Sequence, residues 1–570
     1  MRRIVPLLVL IAAACGRAAP AVDVAPDARL TVIANGLVHD GSGDAPFIGD
    51  VVLRGDRIER VTRGSYGLAN ASGVHVIDAT GHAVAPGFIN MLSWADDALI
   101  IDPRSQSDIR QGVTLEVFGE GWSQGPLSDS MKAGAHLPGD STAPIPWTTL
   151  GEYLAFLEQR GVAPNVASFV GATTVRIHVL GYDDVDPNAA QLDSMRALVR
   201  QAMREGALGL GTSLIYAPAA YAETDELVAL AEEASRYGGM YISHMRSEGD
   251  RIMDAIDELI AIARRARIPA EIYHLKLGGE RNWHRLDEVI ARIDAARAEG
   301  LEITTNMYTY TAGATGLDAA MPPWVQAGGT DAWIARLQEP ATRVRVLDEM
   351  RSDSTDWESL LRLAGSPDRV LLVGFDQDSL RYLTGKSLAE IATLYGMSPE
   401  ETAVELVVRN DSDVGTVYFL MSEDNVRRQI ALPYMTFGSD AGSMAPEGEF
   451  LKQNPHPRAY GNFARLLGRY VRDERVIALP EAVRRLTSMP AERLGIRERG
   501  RLEAGYHADV VVFDPLTIAD HATFERPHQY ATGVRDVFVN GVAVLRDGEH
   551  TGALPGRFVR GPGHTAEGDR

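Results

Sequence analysis

The sequence predicts an α/β protein with a (β/α)8 barrel, a flanking β-sandwich built from both chain ends, and an inserted helical subdomain. Strands alternate with helical patterns through the middle of the chain, and short strands with a similar alternation of apolar residues occur at both ends. One late stretch has more helical patterns than a single connection between two parallel strands requires. The expected division is a signal peptide over 1–20, sandwich strands over 21–83, the barrel over 84–494 with its insertion at about 317–412, and further sandwich strands over 495–570.

The first twenty residues have the pattern of a secretion signal. A basic head at residues 1–3 precedes an apolar run, residues 4–14, that is too short to span a bilayer as a helix. Cys15, the one cysteine of the sequence, follows three alanines and resembles the acylated cysteine of bacterial lipoproteins; a plain cleaved peptide with a chance cysteine is the alternative. We therefore expect a protein of the cell envelope, either periplasmic or attached to the membrane by a lipid anchor at Cys15.

Short strands at the two chain ends are predicted to combine. Alternating apolar residues mark 30–33 and 50–54 near one end, and 508–513 and 537–541 near the other. Neither set has enough strands to bury an apolar face alone, so one β-sandwich built from both is expected.

The central region predicts the barrel. Candidate strands are 84–92, 113–118, 166–170, 208–210, 240–244, 270–274, 303–307 and 435–437, with another near 417–419. Helical patterns separate most of them, as in repeated strand-helix-strand units. The stretch 317–412 holds several helical patterns between two late strands and is therefore interpreted as the inserted subdomain.

Two histidines mark the most informative unit of this region. His244 and His274 each end a predicted strand, and a helical pattern between the strands makes them parallel, with both histidines at the same edge of the sheet. Facing imidazoles suit a divalent metal, although either residue alone is equally well explained as an ordinary strand end. Lys276, one of only four lysines in the chain, follows His274 on the same strand face.

Other polar residues follow further predicted strands. Glu120 lies between two glycines and Asp440 lies among small residues, so each carboxylate is a candidate metal ligand or proton carrier. A solvated turn for Glu120 and a helix cap for Asp440 explain the same patterns. Tyr308 and Arg176 are candidates to hold a substrate carboxylate or acyl group, whereas tyrosines at such positions more often pack in a core.

Composition excludes one large class of partner. The chain has 570 residues, 45% hydrophobic content and a net charge of -21, and no run of arginines concentrates positive charge. Because binding to phosphate backbones needs a basic surface, nucleic acid is not an expected partner.

Motifs along the chain carry a resemblance to a known family. They are VAPGFI (84–89), QGVT (111–114), GALG (206–209), LIY (214–216), SHMR (243–246), HLK (274–276), YTYTAG (308–313), GSD (438–440), HPRAYG (456–461) and ADVVVF (508–513). Over about residues 30–560 they resemble the D-aminoacylase (N-acyl-D-amino-acid deacylase) branch of the amidohydrolase superfamily. The resemblance implies a zinc-bearing barrel, a β-sandwich from both ends and a lid-like insertion.

The resemblance also implies roles for individual residues. It makes His244 and His274 zinc ligands and Asp440 the catalytic acid-base, and it places Glu120 where the family has a metal-binding cysteine. The remaining positions match substrate-binding residues: Lys276 and Tyr308 at the substrate carboxylate, Tyr418 and Met421 at the side-chain pocket, and Arg458 at a longer spacing from the aspartate than the family shows.

Two departures from the family concern the metal. Leu92-Ser93-Trp94 stands where the superfamily has a His-x-His pair, and Ala172 lies where another histidine is expected. Neither leucine nor tryptophan binds zinc, so we expect one Zn²⁺ per chain, held by Glu120, His244 and His274.

These features predict a zinc-dependent amide hydrolase that removes the acyl group from N-acyl-D-amino acids or related D-residue peptides. One alternative is an amidohydrolase that acts on another N-acyl, dipeptide or cyclic amide substrate. The other is a degenerate barrel that binds a ligand without catalysis.

Overall fold

The structure is a computed structural model that describes residues 30–67 and 74–564. The predicted signal peptide, Cys15 and residues 21–29 lie outside the described residues. Within the described part of the chain, no helix has both the length and the apolar character needed to cross a membrane.

Strands and helices alternate through most of the chain. The strands are β1 (Leu30–Val38), β2 (Phe47–Arg54), β3 (Arg57–Arg63), β4 (Val74–Asp78), β5 (Ala83–Pro86), β6 (Phe88–Asn90), β7 (Val113–Phe118), β8 (His136–Leu137), β9 (Asp140–Pro144), β10 (Asn165–Ser168), β11 (Val170–Gly171), β12 (Gly209–Ser213), β13 (Met240–His244), β14 (Ala270–Ile272), β15 (Ile303–Met307), β16 (Gly313–Gly316), β17 (Val370–Gly374), β18 (Gly415–Tyr418), β19 (Met435–Phe437), β20 (Val510–Phe513), β21 (Val534–Val539), β22 (Val542–Arg546) and β23 (Glu549–His550). The α-helices are α1 (Ala95–Ile101), α2 (Gln106–Ile109), α3 (Asp129–Lys132), α4 (Leu150–Arg160), α5 (Ala172–Leu180), α6 (Ala189–Glu205), α7 (Thr224–Ser235), α8 (Ile252–Ala266), α9 (Leu286–Ala298), α10 (Thr330–Gln338), α11 (Pro340–Met350), α12 (Leu360–Ala364), α13 (Leu388–Tyr395), α14 (Pro399–Asn410), α15 (Glu423–Ile430), α16 (Arg458–Arg465), α17 (Leu479–Leu486) and α18 (Ser488–Arg493).

Strands from the two chain ends share one sheet in the order β23-β22-β21-β20-β5-β1-β2-β3, with β4 beside β1. The junction is the antiparallel pair β5–β20, in which Val84 lies opposite Val512. A bulge between Ile33 and Gly36 bends β1, so its first half pairs with β4 and its second half with β5. The sequence predicted that strands of the two ends would combine in a β-sandwich; in the structure they share one continuous hydrogen-bonded sheet.

The central strands form two parallel sheets, β10-β7-β6 and β11-β12-β13-β14-β15-β19. Backbone hydrogen bonds link them at both junctions: Phe169 N donates to Phe118 O (2.9 Å), and Met91 N donates to Phe437 O (3.2 Å). The predicted α/β class is therefore confirmed. Because these strands run in the same direction, their carboxyl ends lie along one edge.

The unit that contains the two histidines has the predicted form. Helix α8 lies between β13 and β14, which pair in parallel with Ser243 opposite Ile272. Its buried apolar positions include Ile252, Ile256 and Leu259, which recur at helical spacing and pack into the main core. This packing fixes the second strand beside the first and so places both strand ends on the same edge.

The stretch between β15 and β19 carries an additional antiparallel sheet, β16-β18-β17, together with α10 to α14. Strands β16 and β18 flank the range predicted as an insertion and pair with each other, with Gly313 opposite Tyr418. The sequence indicated the helices and a strand near 417–419, but it did not reveal β16 or β17. Strand β16 is short and glycine-rich, so it lacks the apolar pattern that identifies strands.

Candidate metal centre and cavity

Three side chains from three parallel strands converge at the carboxyl edge of the sheet. Glu120 lies two residues beyond β7, His244 ends β13, and His274 lies two residues beyond β14. Glu120 Oε1 is 2.6 Å from His274 Nε2 and 3.2 Å from His244 Nδ1. All three side chains are buried and offer ligand atoms within 4.8 Å of one another, as binding of a divalent metal requires.

The glycines on either side of Glu120 allow the backbone to turn close to neighbouring strands. Gly119 and Gly121 have φ values of 102° and 75°, which favour glycine. A Cβ at Gly119 would lie 2.3 Å from Phe169 O, and one at Gly121 would lie 2.5 Å from the Cβ of Ser213. Larger side chains at these positions would displace the carboxylate between them.

His274 and Asp440 also have positive φ values, 32° and 51°, at the strand ends. Such conformations cost on the order of 1–3 kcal/mol for residues other than glycine and persist where neighbouring groups hold them. The His274 backbone N–H donates to Asn306 Oδ1 (2.7 Å), and the Asp440 backbone N–H donates to Leu92 O (2.9 Å). Two of the non-glycine residues with left-handed backbone therefore face the candidate centre.

The charges of these groups are strongly coupled. Burial alone would raise the pKa of Glu120, but His274 and His244 lower it well below its ordinary value. Burial and Lys276 lower the pKa of His274, whereas Glu248 and Glu120 raise it more, to about 9. Because an imidazole must be neutral to bind a metal, metal binding here requires release of that proton.

Glu248 is a buried carboxylate that the sequence analysis missed. Its Oε1 lies 2.6 Å from Lys276 Nζ and 2.9 Å from His274 Nδ1, and its Oε2 lies 3.6 Å from His244 Nε2. Lys276 Nζ also lies 2.7 Å from His274 Nδ1, whereas His274 Nε2 faces Glu120. A carboxylate beside the ring nitrogen that faces away from the metal position is a common way to orient metal-binding histidines. Glu248 follows β13 in a loop, where sequence pattern does not distinguish a buried acid from a solvated one.

Asp440 faces the three candidate ligands across the indole of Trp94. Trp94 Nε1 donates to Glu120 Oε2 (2.9 Å) and to Asp440 Oδ1 (3.2 Å), and Arg458 Nη1 lies 2.8 Å from Asp440 Oδ2. Burial raises the pKa of Asp440 above its ordinary value; Arg458 opposes this rise and the charge of Glu120 adds to it. A carboxyl group with a raised pKa is suited to accepting and returning a proton near neutral pH.

A cavity of about 620 Å³ opens onto these groups. The lining residues that follow the parallel strands or lie near their ends include Trp94, Glu120, His244, Glu248, His274, Lys276, Tyr308, Asp440 and Arg458. The insertion and the segments that flank it, including β16 and β18, supply another part of the wall: Gly313, Ala314, Thr315, Gly316, Asp318, Asp413, Thr416 and Leu420. The volume is within the range of small-molecule sites, and most of the predicted site residues face it.

Tyr418 and Met421 lie behind this wall and are not among the lining residues. The Tyr418 hydroxyl donates to Gly316 O (3.0 Å), and the Tyr308 hydroxyl donates to Met421 Sδ (3.6 Å). Tyr418 ends β18 and Met421 lies three residues beyond it, and both contact residues that line the cavity.

The structure corrects the prediction for Arg176, which does not reach the cavity. Arg176 lies on α5 with its side chain 1% exposed, and its guanidinium forms an ion pair with Glu226 of α7 and donates to Val185 O. The sequence showed an arginine after a strand, but not that the following helix directs this side chain toward a neighbouring helix.

A family model and a curated relative match nearly the whole chain. The amidohydrolase family model matches residues 75–545. D-aminoacylase from Alcaligenes xylosoxydans xylosoxydans is 33% identical over 533 residues, which cover 93% of this chain and 97% of that enzyme. The resemblance drawn from the sequence motifs is confirmed.

Solved structures give the same result. N-acyl-D-glutamate deacylase from Bordetella bronchiseptica, crystallised with zinc and a phosphonate inhibitor that mimics the tetrahedral intermediate, has a TM-score of 0.76 and 30% identity. A D-aminoacylase structure, described in terms of one-metal activation and second-metal attenuation, has a TM-score of 0.76 and 32% identity. Each match covers 93% of this chain and 99% of the other.

Replacing the candidate carboxylate ligand tests the metal centre. Glu120→Gln keeps the side-chain shape but removes the negative charge, so we expect zinc affinity to fall more than about tenfold. Chelator competition and metal analysis of the purified protein measure this change. Glu205→Gln removes the charge of another buried glutamate, on α6 and outside the cavity, and should leave affinity unchanged. Equal zinc affinity in wild type and Glu120→Gln would show that Glu120 is not a ligand.

Replacing Arg176 tests its structural role. Arg176→Met leaves Glu226 buried without its partner, so we expect the free energy of unfolding to fall by about 3–5 kcal/mol. Denaturant titration measures the loss. In the double variant, Glu226→Gln also removes the unpaired charge, so part of the lost stability should be recovered. Unchanged stability in Arg176→Met would contradict a structural role for the pair.

Proposed function

Because this chain belongs to the amidohydrolase family, we propose that it is a metal-dependent hydrolase that removes the acyl group from N-acyl-D-amino acids. The observation that carries the proposal is the convergence of Glu120, His244 and His274 beside Asp440 in the wall of one small-molecule cavity. A chain that only bound a ligand would not need a metal-ligand set next to a carboxylate with a raised pKa.

We infer that the two parallel sheets together form the (β/α)8 barrel expected from the sequence. The hydrogen bonds between Phe169 and Phe118 and between Met91 and Phe437 support this inference, because they join the sheets at both junctions. In such barrels the groups that act on substrate lie at the carboxyl ends of the strands. Glu120, His244 and His274 occupy those positions.

Two imidazole nitrogens and a carboxylate oxygen fit zinc, and we propose one zinc ion per chain. When bound, such an ion supplies Lewis acidity, which makes a water molecule more acidic and polarises a carbonyl group. Leu92 and Trp94, where the superfamily has its His-x-His pair, offer no ligand atom for a second zinc.

The charges nearest the metal position support a single ion. Glu120 and Glu248 are buried carboxylates, the Asp440 side chain is 12% exposed, and Lys276 and Arg458 are buried cations. With neutral histidines these five groups carry one net negative charge, so one divalent ion leaves a single positive charge beside the ligands.

Asp440 is the proposed proton carrier. It accepts a proton from the attacking water and then donates that proton to the departing nitrogen, so one carboxylate carries out both proton transfers. Its position supports this role, because Trp94 and Arg458 lie against its two oxygens and fix its orientation toward the cavity.

Lys276, Tyr308 and Arg458 are proposed to hold the carboxylate of the substrate. All three face the cavity, with Lys276 Nζ 5.6 Å and the Arg458 guanidinium 4.4 Å from the centre of the Tyr308 ring. The positive charges of Lys276 and Arg458 are already balanced by Glu248 and Asp440, respectively. A single substrate carboxylate therefore enters a nearly neutral region, where directional hydrogen bonds decide its orientation.

A substrate panel tests the proposed reaction. The zinc-loaded protein should release amino acid from N-acetyl-D-amino acids faster than from the L-enantiomers, and removal of metal by a chelator should abolish the activity until zinc is restored. Asp440→Asn should retain zinc while kcat falls at least about 100-fold, because the proton carrier is lost. Amine release measures all of these rates. A zinc-loaded protein inactive on the whole panel would favour the ligand-binding alternative.

The insertion side of the cavity predicts a preference among substrate side chains. Asp318 and Asp413 line this side, and an acidic side chain near them would be repelled. We therefore expect kcat/KM to be lower for N-acetyl-D-aspartate and N-acetyl-D-glutamate than for N-acetyl-D-leucine. Burial raises the pKa of both carboxyl groups, and the charge of Asp318 raises the pKa of Asp413 further, so both must be replaced to remove the negative charge of the pair. The double variant Asp318→Asn, Asp413→Asn should therefore narrow the difference. Asp378→Asn removes a charge elsewhere in the insertion and should not. Faster turnover of the acidic substrates by the wild type would refute this assignment.

A further inference from the structure

Trp94 places an indole N–H between two carboxylates of the site. Its Nε1 lies 2.9 Å from Glu120 Oε2 and 3.2 Å from Asp440 Oδ1. Its backbone is fixed as well, because Trp94 N donates to Ala441 O (3.0 Å), next to Asp440 in the chain. The half-buried ring packs against an apolar cluster that includes Leu92.

The indole N–H gives the two oxygens of the Glu120 carboxylate different partners. Oε1 lies beside both histidines, whereas Oε2 accepts the hydrogen bond from Trp94. With Oε2 held in this way, Glu120 presents a single oxygen to the metal position. Rotation of the carboxylate would break the indole hydrogen bond and withdraw Oε1 from the histidines.

The same hydrogen helps to orient Asp440. Oδ1 faces the indole and Oδ2 faces Arg458, so donors occupy both sides of this carboxylate. Glu120 and Asp440 would otherwise repel each other across a buried space, where electrostatic interactions are weakly screened. A neutral N–H dipole shared between them reduces the repulsion without adding a second charge.

We propose that Trp94 is a positioning residue. Its indole N–H takes the place of a second cation and fixes the orientation of the ligand Glu120 relative to the proton carrier Asp440. The inference rests on the proposed function, since it assigns Trp94 to the metal ligand and acid-base of that reaction. It differs from a packing role, in which the ring alone matters and the N–H has no effect on metal affinity or turnover.

Trp94→Phe removes the N–H but retains a planar aromatic ring. In the full-length protein we expect the zinc dissociation constant to rise about 10- to 100-fold, as when a group that orients a metal ligand is lost. We expect kcat to fall by at least about tenfold with KM within about twofold, because Trp94 positions reacting groups rather than the substrate. Chelator competition, metal analysis and steady-state kinetics measure these quantities.

Trp147→Phe is the matched control. Trp147 also donates one indole hydrogen bond, to Gln124 O (2.7 Å), but it is buried away from the cavity. Both variants are expected to lose thermal stability, so only a change in zinc affinity and kcat that is confined to Trp94→Phe supports the proposal. Trp94→Phe with wild-type zinc affinity and kcat would overturn it, and so would two tightly bound zinc ions in the wild type. If the wild type hydrolyses no substrate, the proposed function fails, while the zinc-affinity comparison still tests Trp94.

Discussion

Compensation of buried charge is the constraint on which the cavity depends. Glu120 and Glu248 are buried and the Asp440 side chain is 12% exposed, so an unpaired carboxylate at these positions would be destabilising. Each has a specific partner: the histidines and Trp94 for Glu120, Lys276 for Glu248, and Arg458 and Trp94 for Asp440. Removal of any one member leaves an opposite charge or a hydrogen-bonding atom without its partner. The groups are therefore better regarded as one network than as separate ligands and substrate contacts.

The scaffold fixes this network through the ends of its parallel strands. Glu120, His244 and His274 follow different strands, so their mutual distances depend on strand pairing rather than on loop conformation. The left-handed backbone at His274 and Asp440 directs these side chains inward, and hydrogen bonds from neighbouring strands maintain it. Sites supported in this way keep their geometry to within the small tolerance that metal binding and proton transfer require.

The wall of the cavity on the insertion side differs in composition from the wall formed by the strand ends. The parallel strands supply the candidate metal ligands and most of the charged groups, whereas β16, β18 and the chain near them supply small residues and the carboxylates of Asp318 and Asp413. On the proposed function, the reaction chemistry would belong to the strand ends, and selection among substrate side chains would belong to the insertion side of the cavity. The N-acyl-D-glutamate deacylase that this chain resembles acts on an acidic substrate. Substrate charge is thus a point at which two proteins of one fold can differ.

Local sequence determined the class of the fold and the residues that surround the metal position. Strand-helix-strand periodicity identified the α/β class and put His244 and His274 on one edge. Polar residues at or after predicted strand ends added Glu120, Asp440, Lys276 and Tyr308, and the family resemblance added Arg458; all of these residues face the cavity. Tertiary structure decided the rest. Glu248 and Trp94 join the site only because distant segments meet there, and Arg176 leaves it because α5 packs against α7. A residue's partners depend on contacts between segments far apart in the chain, and these contacts leave no periodic signal in the sequence.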